Sequence, residues 1–140
     1  MNPFQKGFLE GIIPPPPMTV SEFSDLYRKL SSKGSSEPGP WRTSRTPYLK
    51  EPMDCLSVTN TDVERVVMMF GAQTGKSESG INFILYTIFH CPAPLLFVNP
   101  SIDMAKRMSR QRLEPAFEET PVIKAKVAPQ RSRDASNSMF

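Results

Sequence analysis

Residues Arg65 to Ser77 read Arg-Val-Val-Met-Met-Phe-Gly-Ala-Gln-Thr-Gly-Lys-Ser, so a short apolar run leads directly into Gly-Lys-Ser and a helical pattern follows it. A strand that enters a tight turn and leaves it as a helix presents backbone N–H groups to an anion. Lys76 adds a mobile positive charge for terminal phosphates, and the Ser77 hydroxyl can ligate magnesium. The pattern is that of a phosphate-binding loop, with ATP as the first ligand to consider.

The pattern departs from the usual one at a single place. The position five residues before the second glycine is Phe70 rather than glycine, and the flexible residue Gly71 follows one place later. Gly-Lys-Ser alone also arises as an ordinary turn with an exposed lysine, so the flanking sequence has to separate the two readings. Downstream, Ile81, Ile84, Leu85 and Ile88 recur at i, i+3, i+4 and i+7, which predicts a helix with one buried face. Glu78 lies in its first turn, where a carboxylate suits the helix dipole but would repel a bound triphosphate. It is expected either to point sideways to a cation or a partner, or to remain a solvated first-turn acid. Pro92 and Pro94 end the helix, and Leu95 to Val98 predicts a second strand.

The rest of the chain frames this unit. Of 15 prolines in 140 residues, seven lie in the first 40, and Pro14 to Pro17 predicts polyproline II. Residues 1 to 17 therefore read as a mobile lead, and the compact part is expected to begin after residue 40. Thr19 or Ser21 can cap a short docking helix over Glu22 to Leu30, with Phe23, Leu26, Tyr27 and Leu30 on one face. Ser31 to Pro40 reads as a linker or an extended crossing. Trp41 to Leu49 shows no clear period, and Glu51 to Leu56 predicts a short helix with Pro52 in its first turn.

Beyond the second strand, Ser101 is a candidate N-cap for a helix running to about Glu114. Its expected buried stripe is Ile102, Ala105 and Met108, and Pro115 should kink or stop it. Val122 to Val127 alternates and predicts an edge strand with Lys124 and Lys126 outward. The last ten residues read as unstructured. The domain reading is an arm over 1–40 with one short helix, a partial ATPase domain over 41–128, and a tail over 129–140.

A net charge of +3 is too small to establish a nucleic-acid partner. Between Asp103 and Arg133 there are eight basic residues, Lys106, Arg107, Arg110, Arg112, Lys124, Lys126, Arg131 and Arg133, which suit a solvated helix face or DNA contact. Cys55 and Cys91 lack Cys-x-x-Cys spacing, and His90 is the only histidine, so no protein-ligated metal centre is expected. The reading is a reduced intracellular protein. No secretory signal is expected, because Phe8 to Ile13 is broken by Glu10 and followed by prolines. The apolar region Ile81 to Val98 contains Asn82, His90 and two prolines, which excludes it as a membrane span.

Several blocks in order carry a family resemblance: Val20-Ser21-Glu22-Phe23, Pro38-Gly39-Pro40-Trp41-Arg42, Thr46 to Asp54, Gly71 to Glu78, and Asn99-Pro100-Ser101 through Pro115, with Ser132 to Asn137 after them. Together, over roughly residues 19 to 138, they resemble the start of a tailed-phage terminase large subunit of the GpA (lambda-like) type. The resemblance implies an incomplete α/β P-loop NTPase: a helicase- or terminase-like parallel sheet with flanking helices. It implies an ATP-driven motor that packages double-stranded viral DNA into procapsids, joined in the complete protein to an endonuclease. The implied partners are a small terminase subunit, the portal or procapsid, and further copies of the motor subunit. The implied location is the cytoplasm of an infected bacterium.

Carried over to this chain, the resemblance gives Gly71, Ala72, Gln73, Thr74, Gly75, Lys76 and Ser77 to the nucleotide. Lys76 would stabilise charge on the transferred phosphoryl group, and Ser77 would hold magnesium. Tyr48 becomes a candidate to stack on adenine or an ordinary packing tyrosine. Such an ATPase also needs a second acidic motif for magnesium and water, and no apolar run here ends in Asp-Asp or Asp-Glu. The chain is therefore expected to be an N-terminal fragment without turnover of its own. Two other readings stay open: an unrelated P-loop kinase or helicase-like piece, and a non-catalytic interaction protein with a vestigial loop.

Overall fold

A computed structural model describes residues 2–12, 16–32 and 37–127, with Leu9 and Glu10 described for their backbone only. Helix α1 (Pro3–Ile12) occupies much of the expected mobile lead. Its cause is local. Asn2 accepts the Phe4 amide on its side chain at 3.2 Å, Gln5 accepts the Asn2 amide at 3.2 Å, and Pro3 sits at the first helical position. Phe4, Phe8 and Ile12 are all exposed. The polyproline reading falls largely on residues outside the description, as does the tail beyond residue 127.

Helix α2 (Val20–Tyr27) starts at a capping box. Thr19 Oγ1 accepts the Glu22 amide at 3.3 Å, and Glu22 Oε2 accepts the Thr19 amide at 2.9 Å. Its buried face is Val20, Phe23 and Ser24, while Leu26, expected on that face, is 66% exposed. Core packing thus begins at residue 20, earlier than the proline-rich composition suggests. Strands β1 (Lys29–Leu30) and β2 (Gly39–Pro40) pair antiparallel, Lys29 opposite Pro40, and the Trp41 amide extends the ladder to the Arg28 carbonyl at 2.9 Å. The expected crossing over Ser31 to Pro40 therefore ends in a paired strand.

Trp41 to Leu49 folds as two 3₁₀ turns, Thr43–Arg45 and Pro47–Leu49, leading into helix α3 (Lys50–Cys55). Asp54 on α3 accepts the Ser21 amide at 3.2 Å and the Lys50 ammonium at 2.7 Å, and Ser57 Oγ accepts the Val20 amide at 2.9 Å. These bonds join the start of α2 to α3. Burial alone would raise the Asp54 carboxyl, but donors from Lys50, Ser21 and Thr19 together hold it below its ordinary value.

Helix α4 (Lys76–His90) is the centre of the packing and meets both α2 and the last helix. Ile81, Ile84, Leu85 and Tyr86 are buried, whereas Ile88 is only half-buried. Phe23 meets Tyr86 edge-on at 6.0 Å and Phe89 at 5.4 Å. The Tyr86 hydroxyl donates to the Met18 carbonyl at 2.9 Å, which satisfies its polar end inside the core.

Helix α5 (Ile102–Met108) is capped by Ser101, whose side chain accepts the Met104 amide at 3.2 Å. The expected buried stripe does not form: Ile102 is 65% exposed, and Ala105 and Met108 are only half-buried. A π-turn (Ser109–Leu113) then precedes helix α6 (Glu114–Glu119). Pro115 does not stop the helical run, which continues from Ile102 to Glu119. It lies in the first turn of α6, and the widened turn directly before it is where the helix accommodates the missing N–H.

The expected edge strand at Val122 to Val127 is corrected to a short helix, α7 (Pro121–Lys124), followed by turns. Pro121 at its start favours helical φ, and fully buried Ile123 anchors it on the core. The alternation of Val122, Lys124 and Lys126 reflects a helical turn seen over too few residues.

The expected parallel sheet is not formed by the described residues, whose paired strands are β1 and β2. The runs before and after α4 are nevertheless strand-like. From Val66 to Phe70 half-buried and exposed residues alternate, and Leu95, Leu96, Phe97 and Val98 are 40%, 87%, 42% and 75% exposed. A period of two is the mark of an extended chain that presents one face inward.

Candidate functional site

The loop between the Val66–Phe70 run and α4 curls rather than extends. Gln73 has φ 57° and Gly75 has φ 86°, so two left-handed residues close the turn that starts α4. Glycine is required at the second of these. A Cβ on Gly75 would lie 2.8 Å from Leu49 Cδ1, in addition to the backbone strain. Gly71 lies outside the left-handed region, and a Cβ there would meet only Thr74 Cγ2 at 3.9 Å. The left-handed residues of the turn are Gln73 and Gly75, and Gly71 is not one of them.

Lys76 is the first residue of α4, and its ammonium folds back to donate to the Phe70 carbonyl at 2.6 Å. Thr74 Oγ1 donates to the Gly71 carbonyl at 3.0 Å, closing the loop from within. The amides of Gly75, Lys76, Ser77 and Glu78 donate to no acceptor among the described residues. One helix start therefore carries four amides without a protein acceptor together with the lysine whose ammonium reaches back over the loop, groups that an oxyanion can use.

Of the expected site residues, Gly71, Ala72, Gln73 and Ser77 are exposed, and Thr74, Gly75 and Lys76 are half-buried. Tyr48, distant in sequence, is brought to them: its hydroxyl donates to the Thr74 carbonyl at 3.2 Å, and its ring stands edge-on to Phe70 at 6.0 Å. The two depressions near this unit lie elsewhere, one between Arg28, Glu78 and Arg112 and one beside Lys50 and Asp54.

Glu78 points sideways to cations. Its Oε2 accepts Arg28 Nη2 at 3.1 Å, and its Oε1 accepts Arg112 Nη1 at 3.1 Å. Arg28 is buried and also donates through Nε to Asn82 Oδ1 at 3.2 Å and through Nη1 to the Lys29 carbonyl. Burial pushes its guanidinium below the ordinary value, and Glu78 opposes that shift. Sequence reasoning missed Arg28 and Asn82 altogether. No local pattern marks them, since Arg28 and Glu78 stand 50 residues apart.

The donor set fits a polyphosphate: unpartnered helix-start amides, a retractable ammonium and the exposed Ser77 hydroxyl for a magnesium ion carried with it. Glu78, held by two arginines, is not placed to orient a water. Among the described residues no group of three or more His, Cys, Asp or Glu could hold a metal by itself, and no helix is long and apolar enough to cross a membrane.

Comparison with curated proteins and with solved structures finds no match in either set. A family model described as phage terminase large subunit gpA, ATPase domain, matches residues 35–140, taking in β2, α3, the loop, α4 and everything after it. With three quarters of its length so matched, the chain belongs to the gpA ATPase-domain family of phage terminase large subunits.

Proposed function

We propose that residues Gly71 to Ser77 bind the β and γ phosphates of ATP, and that this chain is the nucleotide-gripping part of a motor that drives double-stranded viral DNA into procapsids. The observation that carries the reading is the set of unpartnered Gly75–Glu78 amides at the helix start that also bears Lys76. Family membership supplies the ATPase and packaging context. Magnesium, held by Ser77, would neutralise phosphate charge when bound. Lys76 would leave the Phe70 carbonyl for the terminal phosphate, and Tyr48 would offer its half-exposed ring to adenine.

The Val66–Phe70 and Leu95–Val98 runs take places in one parallel sheet, separated from each other by strands that another segment supplies. Their period-two exposure supports this. The water-orienting carboxylate comes from a further acidic segment, because Glu78 is engaged by Arg28 and Arg112. This chain alone therefore binds nucleotide without turning it over. The nuclease of the complete protein and the homo-oligomeric motor belong to the same reading. The exposed basic residues of the 103–133 stretch, Arg107 and Lys124 among them, would face DNA, and the Phe4, Phe8 and Ile12 face of α1 would meet the small terminase subunit or the portal. All of this would take place in the cytoplasm of the infected host.

Amide hydrogen exchange tests the proposed grip. Exchange at Gly75 to Ser77 should slow when a non-hydrolysable ATP analogue and magnesium are added. Unchanged exchange at saturating analogue would refute it.

A further inference from the structure

Glu78 poses an electrostatic problem for the site just proposed. It lies in the first turn of α4, two residues after Lys76, so its carboxylate belongs to the same turn whose amides would hold a triphosphate. Its carboxylate is 18% exposed, and like charges this close repel strongly where water screens poorly. The structure answers with Arg28. That guanidinium is 3% exposed, meets Glu78 Oε2 at 3.1 Å, and reaches Asn82 at 3.2 Å one turn further along the same helix face. The arginine itself is fixed by its chain: its amide bonds the Ser24 carbonyl at 3.1 Å, and its carbonyl accepts the Trp41 amide at 2.9 Å.

We propose that Arg28 is a positioning residue for nucleotide binding: by pinning Glu78 and Asn82 it turns the first-turn carboxylate away from the phosphates, cancels its charge, and orients the helix start that carries Lys76 and Ser77. This rests on the nucleotide reading above. Arg28 touches no nucleotide, and it acts through Glu78. The consequence is a dependence on phosphate number. A defect in the pair weakens ATP more than ADP and leaves adenosine almost untouched, whereas mere loosening of the fold weakens all three alike.

The test is titration of the whole chain with ATP, ADP and adenosine, magnesium present, for Arg28→Met, Glu78→Gln and the double variant. Arg28→Met leaves Glu78 only its contact with the more exposed Arg112, and is expected to weaken ATP roughly three- to tenfold and adenosine less than twofold, as a partly compensated carboxylate near the phosphates requires. Glu78→Gln leaves Arg28 its Asn82 and Lys29 partners and should tighten ATP. The double variant should return close to the unaltered chain. Equal weakening for ATP and adenosine in Arg28→Met overturns the proposal. If that variant fails to fold, Glu78→Gln decides alone, and ATP affinity no tighter than that of the unaltered chain overturns it. ATP binding that is absent from the unaltered chain, or indifferent to Lys76→Ala, would instead remove the nucleotide reading beneath it.

Discussion

The Lys76 ammonium donates to the Phe70 carbonyl oxygen across 2.6 Å, tying the first residue of α4 to the last residue of the apolar run before the loop. The loop is thereby closed around its own positive charge. A phosphate entering the site replaces that neutral carbonyl with anionic oxygens, which add charge–charge attraction to a bond whose donor is already ionised. Phe70 stands where the usual motif has glycine, yet only its backbone oxygen faces the lysine, and its ring packs toward Tyr48.

Gly75→Ala should be the most damaging single-methyl change in the loop. It places a Cβ 2.8 Å from Leu49 Cδ1 on a residue with φ 86°. The expected loss is about 1–3 kcal/mol, from left-handed strain plus overpacking. Urea unfolding followed by the single buried tryptophan, Trp41, reads it as a lower midpoint. Gly71→Ala, with its nearest contact at 3.9 Å, should leave that midpoint in place.

Removing the Thr19 hydroxyl should cost about 1 kcal/mol, the usual value of an N-cap. Thr19→Ser, which keeps the acceptor for the Glu22 amide, should restore most of it. Equal destabilisation by alanine and serine would show that the methyl group, not the capping bond, matters.

Acid stability should depend on Asp54. Its folded carboxyl is held below the ordinary value, so its contribution is complete above the ordinary carboxylate range. That contribution declines as pH falls below the range and through the folded value. Asp54→Asn should lower stability at neutral pH and flatten this acid limb. An acid limb of unchanged steepness would assign it to other carboxylates.

The helices around the loop were legible because their signals are local. Thr19 with Glu22, Ser101 before α5, and the Ile81, Ile84, Leu85 spacing each report on residues within two turns. Helix α1 carried the same kind of signal in Asn2, Pro3 and Gln5, but the prolines after it drew attention away. Strands were less legible because a strand is defined by its partner. Val66–Phe70 and Leu95–Val98 have the period of strands without a ladder among the described residues, and Val122–Val127 has three alternations and no ladder at all. At the site, Lys76 and Ser77 could be read directly. Gln73 as the left-handed residue and Arg28 as the counter-charge could not, since both follow from long-range packing.

Tyr48 can be split into its two contacts. Tyr48→Phe removes the bond to the Thr74 carbonyl and keeps the ring. It should cost about 0.5–1.5 kcal/mol of stability and leave ATP affinity nearly intact. Tyr48→Ala removes the ring as well and should weaken an adenine nucleotide more than inorganic triphosphate. Equal weakening of both ligands would leave the tyrosine as a strut for the loop.

Whether the curled loop grips a nucleotide is read most directly by calorimetric titration of the 140-residue chain with a magnesium-bound, non-hydrolysable ATP analogue. The unaltered chain should bind. Lys76→Ala should lose affinity at least about tenfold, the value of one charge-assisted contact, with only the small fall in urea midpoint that loss of the Phe70 bond brings. Equal affinity for the two proteins, or no binding by either, would contradict that grip.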